Sequence, residues 1–258
     1  MRILSFDIGI INMAYCLIDT LDQASVGPNG VSIKIIAWGI LDISGISACS
    51  MCKKKAKSYV VLTNRTTDDK SYYCASHCKN YAEKHFASKD IKKIKDMADM
   101  DLDYLGSNLY TLLEKLGPII TDNIDTILFE NQPVLKNPKM KSIQMMLYSY
   151  FLMKKAIHQC SITTLKFYTA KRKLEIKGLH TDTSVFDKKE YSDRKKMSKV
   201  ITLEILKRMN DFTHISQLEC ADKQDDLCDC FIQGVEHIQT QQGFNIFTPT
   251  SFELPPLN

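Results

Sequence analysis

Asp7 interrupts the apolar run MRILSFDIGIIN, and Glu130 closes the apolar run IDTILFE. Asp222, Asp225, Asp226 and Asp229 crowd the stretch ADKQDDLCDCFIQG. A charge inside a buried run is costly unless it is paired or holds a metal. In the last stretch Asp222, Asp226, Asp229 and Gln233 recur at steps of four, three and four, which puts Asp226 and Asp229 on one helix face. Neighbouring carboxylates repel, and a divalent cation relieves both the repulsion and the burial. Oxygens from two strands and a helix start suit Mg²⁺, a hard ion that prefers octahedral oxygen ligands and keeps some of its waters. Two such ions can activate water and stabilise the leaving oxygen in phosphodiester cleavage. Asp222 and Asp225 have a simpler use as helix N-cap and first-turn acid.

A second constellation is built from sulfur. Cys49 and Cys52 form a C-x-x-C knuckle, and Cys74 is followed by His77 and Cys78. Two knuckles about twenty residues apart suit tetrahedral Zn²⁺. The ligands are Cys49, Cys52, Cys74 and His77, with Cys78 as the alternative to His77. His77 is preferred because it copies the spacing of the first pair. A closed four-ligand set serves folding rather than catalysis. The chain has nine Cys, an odd number, and no evident secretion signal, so thiols or a metal in a reducing, intracellular compartment are expected rather than disulfides. Cys16 reads as core, and Cys228 and Cys230 point apart on their helix. Cys160, Cys220, His158 and His180 lack partners at ligand spacing.

These residues need elements to hold them. Residues 2–8, 13–18 and 31–43 read as three strands in an antiparallel meander, with Gly9 supplying the first turn. Residues 48–80 hold four of the nine Cys, many Lys, Ser and Thr and few large aliphatics, and read as an insertion. From Asp90 to Leu116 the apolar spacing predicts a helix that ends at Gly117-Pro118. A strand at 124–130, a helix at 142–158, a strand at 161–168 and helices at 193–209 and 222–239 follow. A meander feeding alternating helix and strand predicts a mixed α/β sheet with helices packed on it. The 258 residues, 44% hydrophobic and 25% charged, fit a soluble protein with one large domain carrying an insertion. No stretch approaches the ~18 apolar residues of a membrane helix. The net charge of +4 is mild, but lysines cluster at 53–55, 92–95, 136–141, 171–177 and 194–199, as on a phosphate-facing surface.

The motifs SFDIGIINMAYC, FENQP, YSDRKK and KQDDLCDCFIQG occur in the order and spacing of RNase H-like Holliday junction resolvases. The chain most resembles the enzymes of poxviruses and other large DNA viruses, and more distantly the bacterial and fungal mitochondrial ones. The resemblance covers residues 1–43 and about 90–240. It implies an RNase H-like five-stranded mixed sheet with helices on both faces, formed by residues 1–240. A zinc-ribbon-like insertion at 48–82 interrupts this domain, and a tail follows at 241–258. It implies that Asp7, Glu130, Asp226 and Asp229 bind Mg²⁺ and are catalytic. The family's lysine falls on Lys196, with Lys195 the near alternative. The implied activity is paired cutting of branched four-way DNA by a homodimer, and the implied location is the host cytoplasm of a virus. The resemblance does not extend to the insertion. Three other readings fit parts of the pattern: a nuclease on RNA or RNA–DNA hybrids, a non-catalytic zinc-containing nucleic-acid-binding protein, and an actin-like ATPase. The last is disfavoured by the absence of a second glycine-rich phosphate loop.

Overall fold

Alternation along the first strand already sorts the sheet into two faces. In a computed structural model the residues described are 1–21, 32–64, 67–96, 99–120, 123–135, 137–157, 160–169, 176 and 191–242. His158, His180, the tail beyond 242, and most of the loop at 21–30 and of the lysine run at 171–177 lie outside them. The strands are β1 (Arg2–Asp7), β2 (Met13–Thr20), β3 (Ile33–Leu41), β4 (Ser58–Asn64), β5 (Thr67–Tyr73), β6 (Ile91–Lys93), β7 (Thr126–Glu130) and β8 (Thr164–Tyr168). The helices are α1 (Ala75–His77), α2 (Glu83–His85), α3 (Leu102–Leu116), α4 (Pro138–Ile157), α5 (Tyr191–Arg208), α6 (Phe212–Cys220) and α7 (Gln224–Gln242). They fall into two compact units, Met1–Leu41 with Leu109–Asn258, and Asp42–Asn108.

The first unit holds a five-stranded sheet in the order β3-β2-β1-β7-β8. β1–β2 and β2–β3 are antiparallel, while β1–β7 and β7–β8 are parallel. This is the mixed RNase H-like arrangement. Ile3, Cys16, Ile18 and Leu128 pack with Phe231, Val235 and Ile238 of α7 on one face. Phe6 and Phe129 point the other way, their rings 5.6 and 6.1 Å from that of Phe151 on α4. Helices therefore cover both faces. A bulge leaves Ile36 unpaired between the Leu17–Ala37 and Ile18–Ile35 pairs. It brings Trp38 onto the same face as Ile33 and Ile35, although the spacing is odd.

The second unit has a three-stranded sheet in the order β5-β4-β6. One face carries a small core of Val60, Tyr73 and Ala82, with Phe86 and Ile91 packed against it. This corrects the expected helix from Asp90. Residues 91–93 are a strand paired with β4, and the helix begins at Leu102. Ile91 and Ile94 mimic helical spacing, but Ile91 belongs to the insertion's own core. The compact unit runs from Asp42 to Asn108, around the expected insertion at 48–82. Elsewhere α4 starts before the expected residue 142. Asn137 accepts from the Met140 N–H at 3.1 Å, and Pro138 occupies the first helical position. Helix α6 was not anticipated, and its signal is the cap: Asp211 accepts from the His214 N–H at 3.1 Å.

Candidate active site and metal centre

The parallel register fixes the first two acids. Phe6 pairs with Phe129, so Asp7 and Glu130 are the next residues along two adjacent strands, where the sheet ends. Adjacent strands lie about 4.8 Å apart. Asp7 continues the face of Ile3, and Glu130 continues the face of Leu128, so both lie on the face covered by α7. Gly9 makes the exit from β1 possible, because a Cβ there would sit 2.4 Å from the Asn12 carbonyl oxygen. Glu130 accepts from Gln132 Nε2 at 3.1 Å, and the Gln132 N–H donates to buried Gln144 of α4 at 3.2 Å. The loop after β7 is thus tied to the helix beneath the sheet.

Two hydrogen bonds set the rotation of α7. Trp38 Nε1 donates to the Leu227 carbonyl at 3.0 Å, and Gln233 Nε2 donates to the Phe6 carbonyl at 3.4 Å. Gly234 lets the helix approach the sheet closely, since a Cβ there would lie 2.8 Å from Ile18 Cδ1. Gln233 therefore sits beside the residue before Asp7, and Asp229 and Asp226 lie one and two turns further along the same stripe. Asp229 accepts from buried Ser198 of α5 at 2.8 Å. Burial pushes the Asp226 carboxyl up to about 6, and the charges of Asp225 and Asp229 add to this. Burial also acts on Asp225, but an ion pair with Lys195 outweighs it and holds that carboxyl below its ordinary value. Asp222 is exposed in the turn two residues before α7, so the expected N-cap role does not fall on it. Lys195 is therefore engaged by α7. Lys196 is 63% exposed and ends on Asp193 of its own helix at 3.1 Å.

Among the described residues no three of these carboxylates converge within 4.8 Å of one another. The donor set still fits a divalent cation: oxygen ligands only, with a half-buried carboxyl whose charge is disfavoured beside other acids. Ser198, Gln132 and Gln144 escaped the reading of the sequence. Ser198 had a usable signal, a hydroxyl between the buried Met197 and Ile201 of α5.

In the second unit, Cys49, Cys52, Cys74 and His77 are the one group of three or more Cys, His or acidic residues among those described whose ligand atoms lie within 4.8 Å. Cys52 and Cys74 Sγ are 3.9 Å apart, and His77 Nδ1 lies 3.4 and 3.6 Å from Cys49 and Cys74 Sγ. Tetrahedral zinc with Zn–S about 2.3 Å and Zn–N about 2.05 Å has edges of about 3.8 Å between sulfurs and about 3.6 Å from sulfur to nitrogen. The fit is within a few tenths of an ångström. Burial would raise the Cys49 thiol, but hydrogen bonds from the Cys74 and Met51 backbone and the His77 side chain bring it down to about 6. That favours the thiolate, the form that ligates metal. Cys78 falls outside the group and packs against the Val60–Tyr73 core.

No protein-family model matches the chain. An uncharacterized protein of Acanthamoeba polyphaga mimivirus is 27% identical, across 93% of this chain and 75% of that protein. The fowlpox virus resolvase, solved with Holliday junction DNA, is 20% identical across 93% of this chain and 97% of its own, with a TM-score of 0.41. The yeast mitochondrial Holliday junction resolvase is 15% identical across 91% of this chain and 76% of its own, with a TM-score of 0.42. The motifs of this chain resemble those of the same class. No helix among the described residues is long and apolar enough to cross a membrane.

Proposed function

We propose that the chain is a Mg²⁺-dependent endonuclease that resolves four-way DNA junctions as a homodimer, in the host cytoplasm of a virus. The observations that support this reading are the register that makes Asp7 and Glu130 the next residues after the paired Phe6 and Phe129, and the hydrogen bond that ties Gln233, on the stripe of Asp226 and Asp229, to the Phe6 carbonyl. These four carboxylates would hold Mg²⁺, which when bound supplies an activated water and stabilises the leaving oxygen. The protein's own groups do the rest. Gln132 orients Glu130, and Ser198 orients Asp229. Lys195 is committed to Asp225 and positions α5 against α7. Lys196, on the same turn and held by Asp193 in a more exposed pair, is the cation assigned to charge developing on the phosphate. Zinc in the Cys49–Cys52–Cys74–His77 group would hold the second unit folded.

The test is a nicking assay with Mg²⁺ on labelled four-way junction, linear duplex and RNA–DNA hybrid. Paired nicks confined to the junction and abolished by Asp7→Asn and Lys196→Ala are expected. Cutting confined to the hybrid would replace the reading with that of a hybrid-directed ribonuclease. Binding without cutting, insensitive to Asp7→Asn, would make the protein a non-catalytic binder.

A further inference from the structure

The second unit has a feature that neither the zinc group nor the nuclease centre uses. Its sheet has one face packed on the Val60–Tyr73–Ala82 core. Strand alternation turns Tyr59, Lys70 and Tyr72 to the opposite face. There they line a cavity of about 350 Å³, together with Lys93, Lys95 and Tyr104. The Tyr59 and Tyr72 rings are cross-strand partners with centroids 6.0 Å apart. Lys70 Nζ lies 5.4 Å from the centre of the Tyr59 ring. Lys95 pairs with Asp101 at 3.3 Å and Lys93 with Asp96 at 3.8 Å, exposed pairs that a phosphate can replace at little cost.

Partly exposed tyrosines on a strand are ordinary β-formers when taken singly. Here three tyrosines and three lysines line one cavity, with Asp101 among them. The volume lies at the small end of the range for ligand pockets. Rings that offer a flat π-face, flanked by cations, are what an unpaired nucleotide requires: the base stacks and the neighbouring phosphates meet lysine. A paired base hides both of its faces in the duplex and cannot use the rings.

We propose that this cavity binds an unpaired nucleotide of a DNA strand, with the base stacked on Tyr72 and the flanking phosphates held by Lys70 and Lys95. The zinc-bearing unit is then a single-strand reader in its own right, and this does not depend on the nuclease reading.

The test uses the full zinc-loaded chain in magnesium-free buffer, with a fluorescent oligothymidylate of about a dozen nucleotides. The control oligomer has the same phosphates on abasic sugars. Wild-type protein should prefer the oligomer with bases. Tyr72→Ala should weaken binding about tenfold and erase that preference, while Tyr72→Phe retains both. Lys70→Gln, an exposed change that leaves folding alone, should flatten the salt dependence by about 0.7 in log–log slope. Zinc content shows that each variant is folded. Equal wild-type affinity for both oligomers, or wild-type affinity and salt slope in both Tyr72→Ala and Lys70→Gln, would overturn the proposal. Junction nicking by the same preparations is read separately, so loss of the nuclease reading leaves this outcome unaffected.

Discussion

Asp226 offers a test that needs no DNA. Its carboxyl titrates at about 6 in the folded chain against an ordinary value of 3.8. At about 1.36 kcal/mol per pKa unit, this difference corresponds to roughly 3 kcal/mol against folding when the group is charged. The group is only half-buried, so solvent screening reduces this to about 1 kcal/mol. The sign follows from linkage. The folded state holds the proton more tightly than the unfolded state. The group's stabilising contribution is therefore fully present below pH 3.8 and is lost as pH rises through about 6. Asp226→Asn removes that loss. In magnesium-free buffer at pH 7 the variant should be about 1 kcal/mol more stable than wild type, or roughly 2–4 °C in Tm for a chain of this size. At pH 4 the two should coincide. Adding Mg²⁺ should stabilise wild type and leave the variant nearly unmoved. Urea unfolding at the two pH values, with and without Mg²⁺, reads all of this. A variant less stable than wild type at pH 7, or stabilised equally at both pH values, would refute the argument that Asp226 is a strained carboxylate awaiting a cation.

Cys74→Ser should remove zinc and unfold the Asp42–Asn108 unit, seen as loss of bound metal and new protease cleavage inside 42–108, while cleavage within the first unit stays unchanged. Burial holds the His237 ring at about 4 against an ordinary value of 6.5. The stability this neutral ring contributes is present above pH 6.5 and lost as pH falls through about 4. His237→Gln should flatten the acid limb of the stability profile, measured by thermal melts across that window.

Much of the architecture was legible because burial imposes a period on strands. Ile3 and Phe6, Leu128 and Phe129 alternate as a sheet covered on both faces demands, and the polar interruptions marked Asp7 and Glu130. The spacing of Asp226, Asp229 and Gln233 was readable because a helix repeats faithfully. Other features were not local. Nothing near Ile91 says that its partner is Val60, thirty-one positions earlier. Ser198 contacts Asp229 across two helices, a relation that neither helix carries alone. Lys195 and Lys196 are equivalent as letters, and only the rotation of α5 sends one to Asp225 and the other to Asp193. The Cys49, Cys52, Cys74 and His77 group was the reverse case, since two short knuckles carry all four residues.

The hydrogen bond from Gln233 to the Phe6 carbonyl joins residues 227 positions apart. The strand bearing Asp7 leaves the ribosome first, and the helix bearing Asp226 and Asp229 is made almost last. During synthesis the chain carries its first carboxylate long before it can complete the set. On the proposed function, a chain stopped before α7 lacks two of the four carboxylates and cuts no nucleic acid. On that reading the order of the elements along the chain delays cutting until α7 docks.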